Sequence, residues 1–116
     1  MNKPIYFNYD IVNAMTTYNQ TVKRHFLPID VFIMEAVMSN AYVSDHQIAH
    51  IFMTSERTVK RSINKLCDFG LITKHIAQNN AKSITLNMDA LRQFLYTYHY
   101  SIIEQFEDAL RDEMYG

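Results

Sequence analysis

Arg57, Lys60, Arg61, Asn64 and Lys65 crowd into one short stretch of this 116-residue chain. Their guanidinium, ammonium and amide groups are hydrogen-bond donors of the kind that hold anionic oxygens. Set at 100° intervals on a helix, Arg57, Arg61, Asn64 and Lys65 share one face, with Lys60 at its flank. Val59, Ile63, Leu66 and Cys67 take the opposite face. The net charge of −1 by itself argues for no polyanionic partner, but its distribution says more. Residues 56–86 carry six Lys and Arg (57, 60, 61, 65, 74 and 82) against Glu56 and Asp68, whereas residues 87–116 carry Arg92 and Arg111 against six acids. This segregation makes a cationic patch, the alternative being a basic face that is merely solvated.

Other reactive side chains carry less. His46 and His50 stand four apart on one helix, a two-histidine metal spacing, but Gln47-Ile48-Ala49 between them supplies no catalytic Glu. No third ligand is obvious, so two surface histidines and no metal are expected. Tyr96, Tyr98, His99 and Tyr100 crowd one region near the C-terminus, either as the lining of a ligand pocket or, the reading favoured here, as interface packing. The single cysteine, Cys67, excludes an internal disulfide and a cysteine-rich zinc site, and its place beside Leu66 reads as buried packing. With only Gly70 and Gly116 as glycines there is no phosphate-cradling loop, and no nucleophile elbow or acid pair is present. Neither enzyme activity nor a cofactor is expected.

The elements that position the basic face follow from caps and periodicity. Ser55 is an N-cap for the basic helix, and Gly70 sits where that helix should end in a left-handed C′ residue. Two alternating runs, Ile72 to Ala77 and Ser83 to Leu86, read as a hairpin around a loop containing Asn79-Asn80. Upstream, Ile11, Met15, Tyr18, Val22 and Phe26 form a helical stripe over 9–26, with Asn8 or Asp10 as cap. Leu27-Pro28 breaks it, and a second helix over about 29–39 turns Phe32, Ile33, Ala36 and Val37 inward. Ser44-x-x-Gln47 is a capping box opening a third helix whose apolar side is Ile48, Ala49, Ile51 and Phe52. Asn87 caps a last helix over about 88–114, striped by Leu91, Leu95, Tyr98, Ile102, Phe106 and Ala109. About 26 residues at 1.5 Å each span ~40 Å, against a radius of gyration of ~13 Å for a domain of this size. Part of the stripe should therefore overhang the body and serve as a homodimer interface, the alternative being a helix folded wholly onto its own core.

Ser55, Thr58, Val59, Ile63, Leu66, Gly70, Leu71 and Ile72 meet a Ser-x-x-Thr-Val-x-x-x-Ile-x-x-Leu-x-x-x-Gly-Leu-Ile pattern. In this the chain resembles the recognition helix and wing of winged helix-turn-helix DNA-binding domains, as in MarR-like regulators and in plasmid and phage replication proteins. It departs from them in the turn Phe52-Met53-Thr54, which lacks the glycine often found there. The resemblance implies a mainly α fold with a small β-hairpin wing: a winged helix-turn-helix with an N-terminal helix and a long C-terminal dimerisation helix, as a single domain over 1–116. The core would cover 29–86 and the dimerisation helix 87–114, and Tyr42-Val43 would add a short strand to the wing.

On that resemblance, Ser55, Arg57, Thr58, Lys60, Arg61 and Asn64 approach the major groove, where Arg suits guanine and Asn suits adenine. Lys65, Lys74 and Lys82 meet phosphates, with Asn79 and Asn80 at the wing tip near the backbone or minor groove. The expected partner is double-stranded DNA, as an inverted repeat bound by a homodimer, and the expected role is a small transcriptional regulator. A plasmid or phage origin-binding protein of replication or segregation is the runner-up, and a protein-interaction winged helix that binds no DNA is the alternative of another class. No apolar run approaches the ~18–20 residues of a membrane span, and the start MNKPIYFNYD lacks the apolar core of a signal peptide. A cytoplasmic protein without a membrane partner is expected.

Overall fold

In the computed structural model, residues 8–21 and 26–115 are described. Among the described residues six helices, one hairpin and a widened π turn follow in order: α1 Asn8–Thr21, α2 Pro28–Met38, α3 Asp45–Ile51, α4 Glu56–Asp68, β1 Ile72–Ile76, β2 Lys82–Leu86, α5 Met88–Leu95, the π turn Tyr96–Tyr100 and α6 Ser101–Tyr115. Ile11 and Met15 of α1, Ile33 and Met34 of α2, Ile48 of α3, Val59, Ile63 and Leu66 of α4, and Leu91 and Leu95 of α5 close one core. Among the described residues no helix is long and apolar enough to cross a membrane.

Helix α1 is described as far as Thr21, and Val22 lies outside the described residues. Phe26, expected as the last residue of that stripe, is buried but precedes α2 as loop. Asn19 holds it there, donating to the Phe26 carbonyl at 2.9 Å and accepting from its N–H at 2.6 Å. Asp10 does not cap α1; its carboxylate is buried, accepting from the Tyr100 hydroxyl at 2.8 Å and lying 3.2 Å from His99 Nε2. The π turn thus sets two successive side chains, His99 and Tyr100, against one carboxylate of α1.

Ser44 caps α3 by accepting from the Gln47 N–H at 3.1 Å, while the Gln47 side chain makes no return bond, so half of the expected box forms. Ile48 and Ala49 are buried, but Ile51 is 55% exposed and Phe52 leaves the core to pack on Phe32, ring centroids 5.3 Å apart. Met53 takes φ 56°, the left-handed conformation that glycine would supply in the turn before α4. Ser55 accepts from the Thr58 N–H at 3.1 Å and opens α4. Replacing it by alanine should cost ~1 kcal/mol, read by urea unfolding; no measurable loss would show that the cap is not used.

At the other end of α4, Gly70 has φ 80°, its N–H reaches the Cys67 carbonyl and that of Leu71 reaches the Leu66 carbonyl. These are the two bonds of a Schellman stop. The hairpin pairs Ile72 with Leu86 and Ile76 with Lys82 in antiparallel register. Among the described residues Tyr42-Val43 adds no strand to it; Val43 is 68% exposed and the sheet has two strands. Asn87 does not cap α5 with its side chain. It accepts from the Thr73 hydroxyl at 2.7 Å and donates to the Gly70 carbonyl at 2.7 Å, tying the root of the hairpin to the end of α4.

Candidate nucleic-acid interface

The basic face forms with four of the five residues expected on it, Lys65 being drawn toward the core side. Val59, Ile63 and Leu66 turn α4 into the core, which leaves Arg57, Lys60, Arg61 and Asn64 exposed. Among the described residues none of the three cations has an ion-pair partner, so their charge faces solvent undiminished. Ser55 and Thr58 stand at the start of this face. Their hydroxyls lie 3.0 Å apart, and the Ser55 oxygen is already engaged by the Thr58 N–H.

A groove of about 350 Å³ separates α4 from the hairpin. Lys60, Asn64, Lys74, Asn80 and Lys82 line it, over apolar patches of Ile63 and Ile76. Lys74 is exposed on β1, with its ammonium 3.4 Å from the Asn64 amide oxygen. At the tip, Asn80 supplies a left-handed residue, φ 64°, and Asn79 accepts from the Ala81 N–H at 3.1 Å. Both asparagines thus shape the loop as well as exposing their amides.

Two of the expected phosphate contacts are engaged elsewhere. Lys65 is 13% exposed, with its ammonium 2.6 Å from the fully buried Asp30 carboxylate on α2. Lys82 forms an ion pair with Asp45, the first residue of α3, whose other oxygen accepts from the Tyr42 hydroxyl. Burial first, then the Asp45 carboxylate, push the Tyr42 hydroxyl above its ordinary range, so it remains a donor. Side-chain links at Asp45 therefore hold the hairpin to the third helix, in place of the expected third strand. Sequence reasoning missed Asp30, Ser62 and Asp45 because Ser62 and Lys65 lie 32 and 35 positions from Asp30 and Lys82 lies 37 from Asp45. It missed Tyr42, only three positions from Asp45, because Tyr42-Val43 reads as a strand. The one local signal was an acid in the first turn of α2 and of α3, which reads as a helix-start preference.

His46 and His50 are both exposed, and His46 Nδ1 lies 3.2 Å from Glu56 on α4. Among the described residues no group of three His, Cys, Asp or Glu side chains could hold a metal ion.

The stripe on the C-terminal helices divides. Leu91 and Leu95, expected at a seam between copies, are 0% exposed within this chain's own core. Tyr98 is half-buried, packed edge-on against Tyr18 at 5.1 Å and against Phe94 at 5.0 Å. Beyond the π turn Ile102, Phe106, Leu110 and Met114 are 43%, 64%, 44% and 73% exposed at four-residue intervals, and Ala109 is exposed beside them. The molecule measures 63 × 26 × 21 Å, a length that accords with a projecting helix.

Helix, turn, basic helix and antiparallel hairpin in this order make a winged-helix fold. A solved structure of a mutant of S. aureus MepR, a winged-helix regulator of the MarR family, superposes with a TM-score of 0.50 at 15% identity, over 90% of this chain and 74% of that one. At that identity the likeness concerns the fold alone. No protein-family model matches the chain, and no curated protein matches it.

Proposed function

We propose that this chain binds double-stranded DNA as a homodimer and acts as a small transcriptional regulator. The observation that carries the reading is the exposed Arg57-Lys60-Arg61 face of α4, free of ion-pair partners among the described residues, backed by its apolar side and standing beside a hairpin that contributes Lys74. Arg57, Arg61 and Asn64 have the donors that base edges in the major groove accept, and Lys60 and Lys74 serve the phosphates on either side of the groove. Lys65 and Lys82, held by carboxylates, position the elements instead of meeting phosphates. Exposed Ile102, Phe106, Leu110 and Met114 supply the seam between two copies.

A two-fold dimer presents two recognition helices to one face of the duplex, so the target is an inverted repeat with half-sites about one turn, ~34 Å, apart. Selection of bound duplexes from a random pool, followed by fluorescence anisotropy, tests this. An absence of salt-dependent duplex binding would sink the reading. On a selected site, Arg61→Ala should cost about 1–3 kcal/mol and much less on random duplex. Lys74→Ala should weaken both duplexes alike and lower the slope of log K against log salt by about 0.9 for each phosphate the variant no longer neutralises.

A further inference from the structure

A fully buried carboxylate stands between α2 and the recognition helix α4. Asp30 Oδ1 accepts from the Ser62 hydroxyl at 2.5 Å. Its Oδ2 accepts from the Lys65 ammonium at 2.6 Å and from the Leu27 N–H at 2.7 Å. Ser62 and Lys65 are three residues apart, one turn of α4, so the carboxylate grips the helix at two points along its length. Its own position is fixed by the first turn of α2.

The apolar contacts of Val59, Ile63 and Leu66 hold α4 to the core but are non-directional. Hydrogen bonds fall off steeply with angle and distance, and a buried carboxylate that loses its donors is heavily penalised. A roll of ~20° about the helix axis moves an atom ~6 Å from that axis by ~2 Å, which breaks such bonds and leaves most apolar contacts in place. The same displacement on the outer side would carry Arg57, Arg61 and Asn64 out of register with base edges.

We propose that Asp30, through Ser62 and Lys65, is a positioning residue that fixes the rotation of the recognition helix about its own axis and so determines which side chains face the DNA bases. The proposal rests on the DNA-binding reading above, and its test separates the two. The variants are Asp30→Asn, Ser62→Ala and an apolar triple, Asp30→Leu with Ser62→Ala and Lys65→Met. The triple buries no charge and so carries the test if Asp30→Asn does not fold.

Anisotropy yields the ratio of affinity for a selected site to affinity for random duplex. A smaller folded fraction scales both affinities equally and leaves this ratio unchanged. A rolled helix gives up its base contacts and keeps its phosphate attraction, so the ratio should fall about tenfold in the triple and less in Ser62→Ala. Residual dipolar couplings of the α4 amides relative to α2, measured on the free protein, read the roll without DNA. A folded triple variant with wild-type couplings overturns the proposal whether or not the protein binds DNA. Wild-type protein that ignores duplex DNA while the couplings shift overturns the DNA-binding reading and leaves the clamp as an architectural one. An unchanged ratio in a folded triple, with wild-type protein discriminating normally, overturns the clamp alone.

Discussion

Leu95→Ala should destabilise the fold by ~2–5 kcal/mol, whereas Phe106→Ala, eleven positions further along the same helical rod, should cost the isolated chain less than ~1 kcal/mol. Leu95 is 0% exposed, in the core cluster that also holds Leu91 and residues of α1, α2 and α4. Truncating it removes apolar transfer energy and leaves a cavity that surrounding side chains fill only in part. Phe106 is 64% exposed, so most of its ring surface already meets water in the single chain and little burial is forfeited. Urea unfolding at low protein concentration, where mass action favours the monomer, measures both variants. Equal losses would mean that α6 folds back over its own core and that the division of the stripe at the π turn is wrong.

Phe106→Glu should convert a dimer into a monomer while leaving the fold intact. In a seam built from Ile102, Phe106, Leu110 and Met114, a glutamate would have to shed its water without a partner, costing several kcal/mol of association. The surrounding helix already carries Glu104, Glu107, Asp108, Asp112 and Glu113 against Arg111, so two copies of α6 repel each other and the new charge adds to that repulsion. Light scattering at micromolar concentration should give about twice the 13.7 kDa chain mass for wild type and the single-chain mass for the variant. Added salt should tighten the acidic dimer while weakening DNA binding, because screening acts against repulsion in the one and attraction in the other. A wild-type mass of one chain at every salt concentration would end the dimer reading.

The caps at Ser44 and Ser55, the left-handed stop at Gly70 and the two runs of a short hairpin were legible in the sequence because each is set by near neighbours in the chain or by one backbone conformation. The apolar side of α4 was legible for the same reason, and with it the exposure of Arg57, Lys60, Arg61 and Asn64: a helix that buries Val59, Ile63 and Leu66 has no choice about where the rest point. Met53 shows the limit of reading by residue type, since the backbone takes a left-handed turn there without the glycine that would announce it.

Which charged groups remain available was decided by the tertiary structure. Lys65 and Lys82 look like their neighbours in the sequence, yet their carboxylate partners lie 35 and 37 positions away, and Tyr100 finds Asp10 across 90. The stripe from Leu91 to Ala109 has one period throughout, yet its first part is core and its last part is surface, because the body against which it packs ends near the π turn. Periodicity specifies which side of a helix is apolar. What covers that side, and which ammonium meets a carboxylate, depends on the distance between elements remote in sequence, and that distance exists only once the chain has folded.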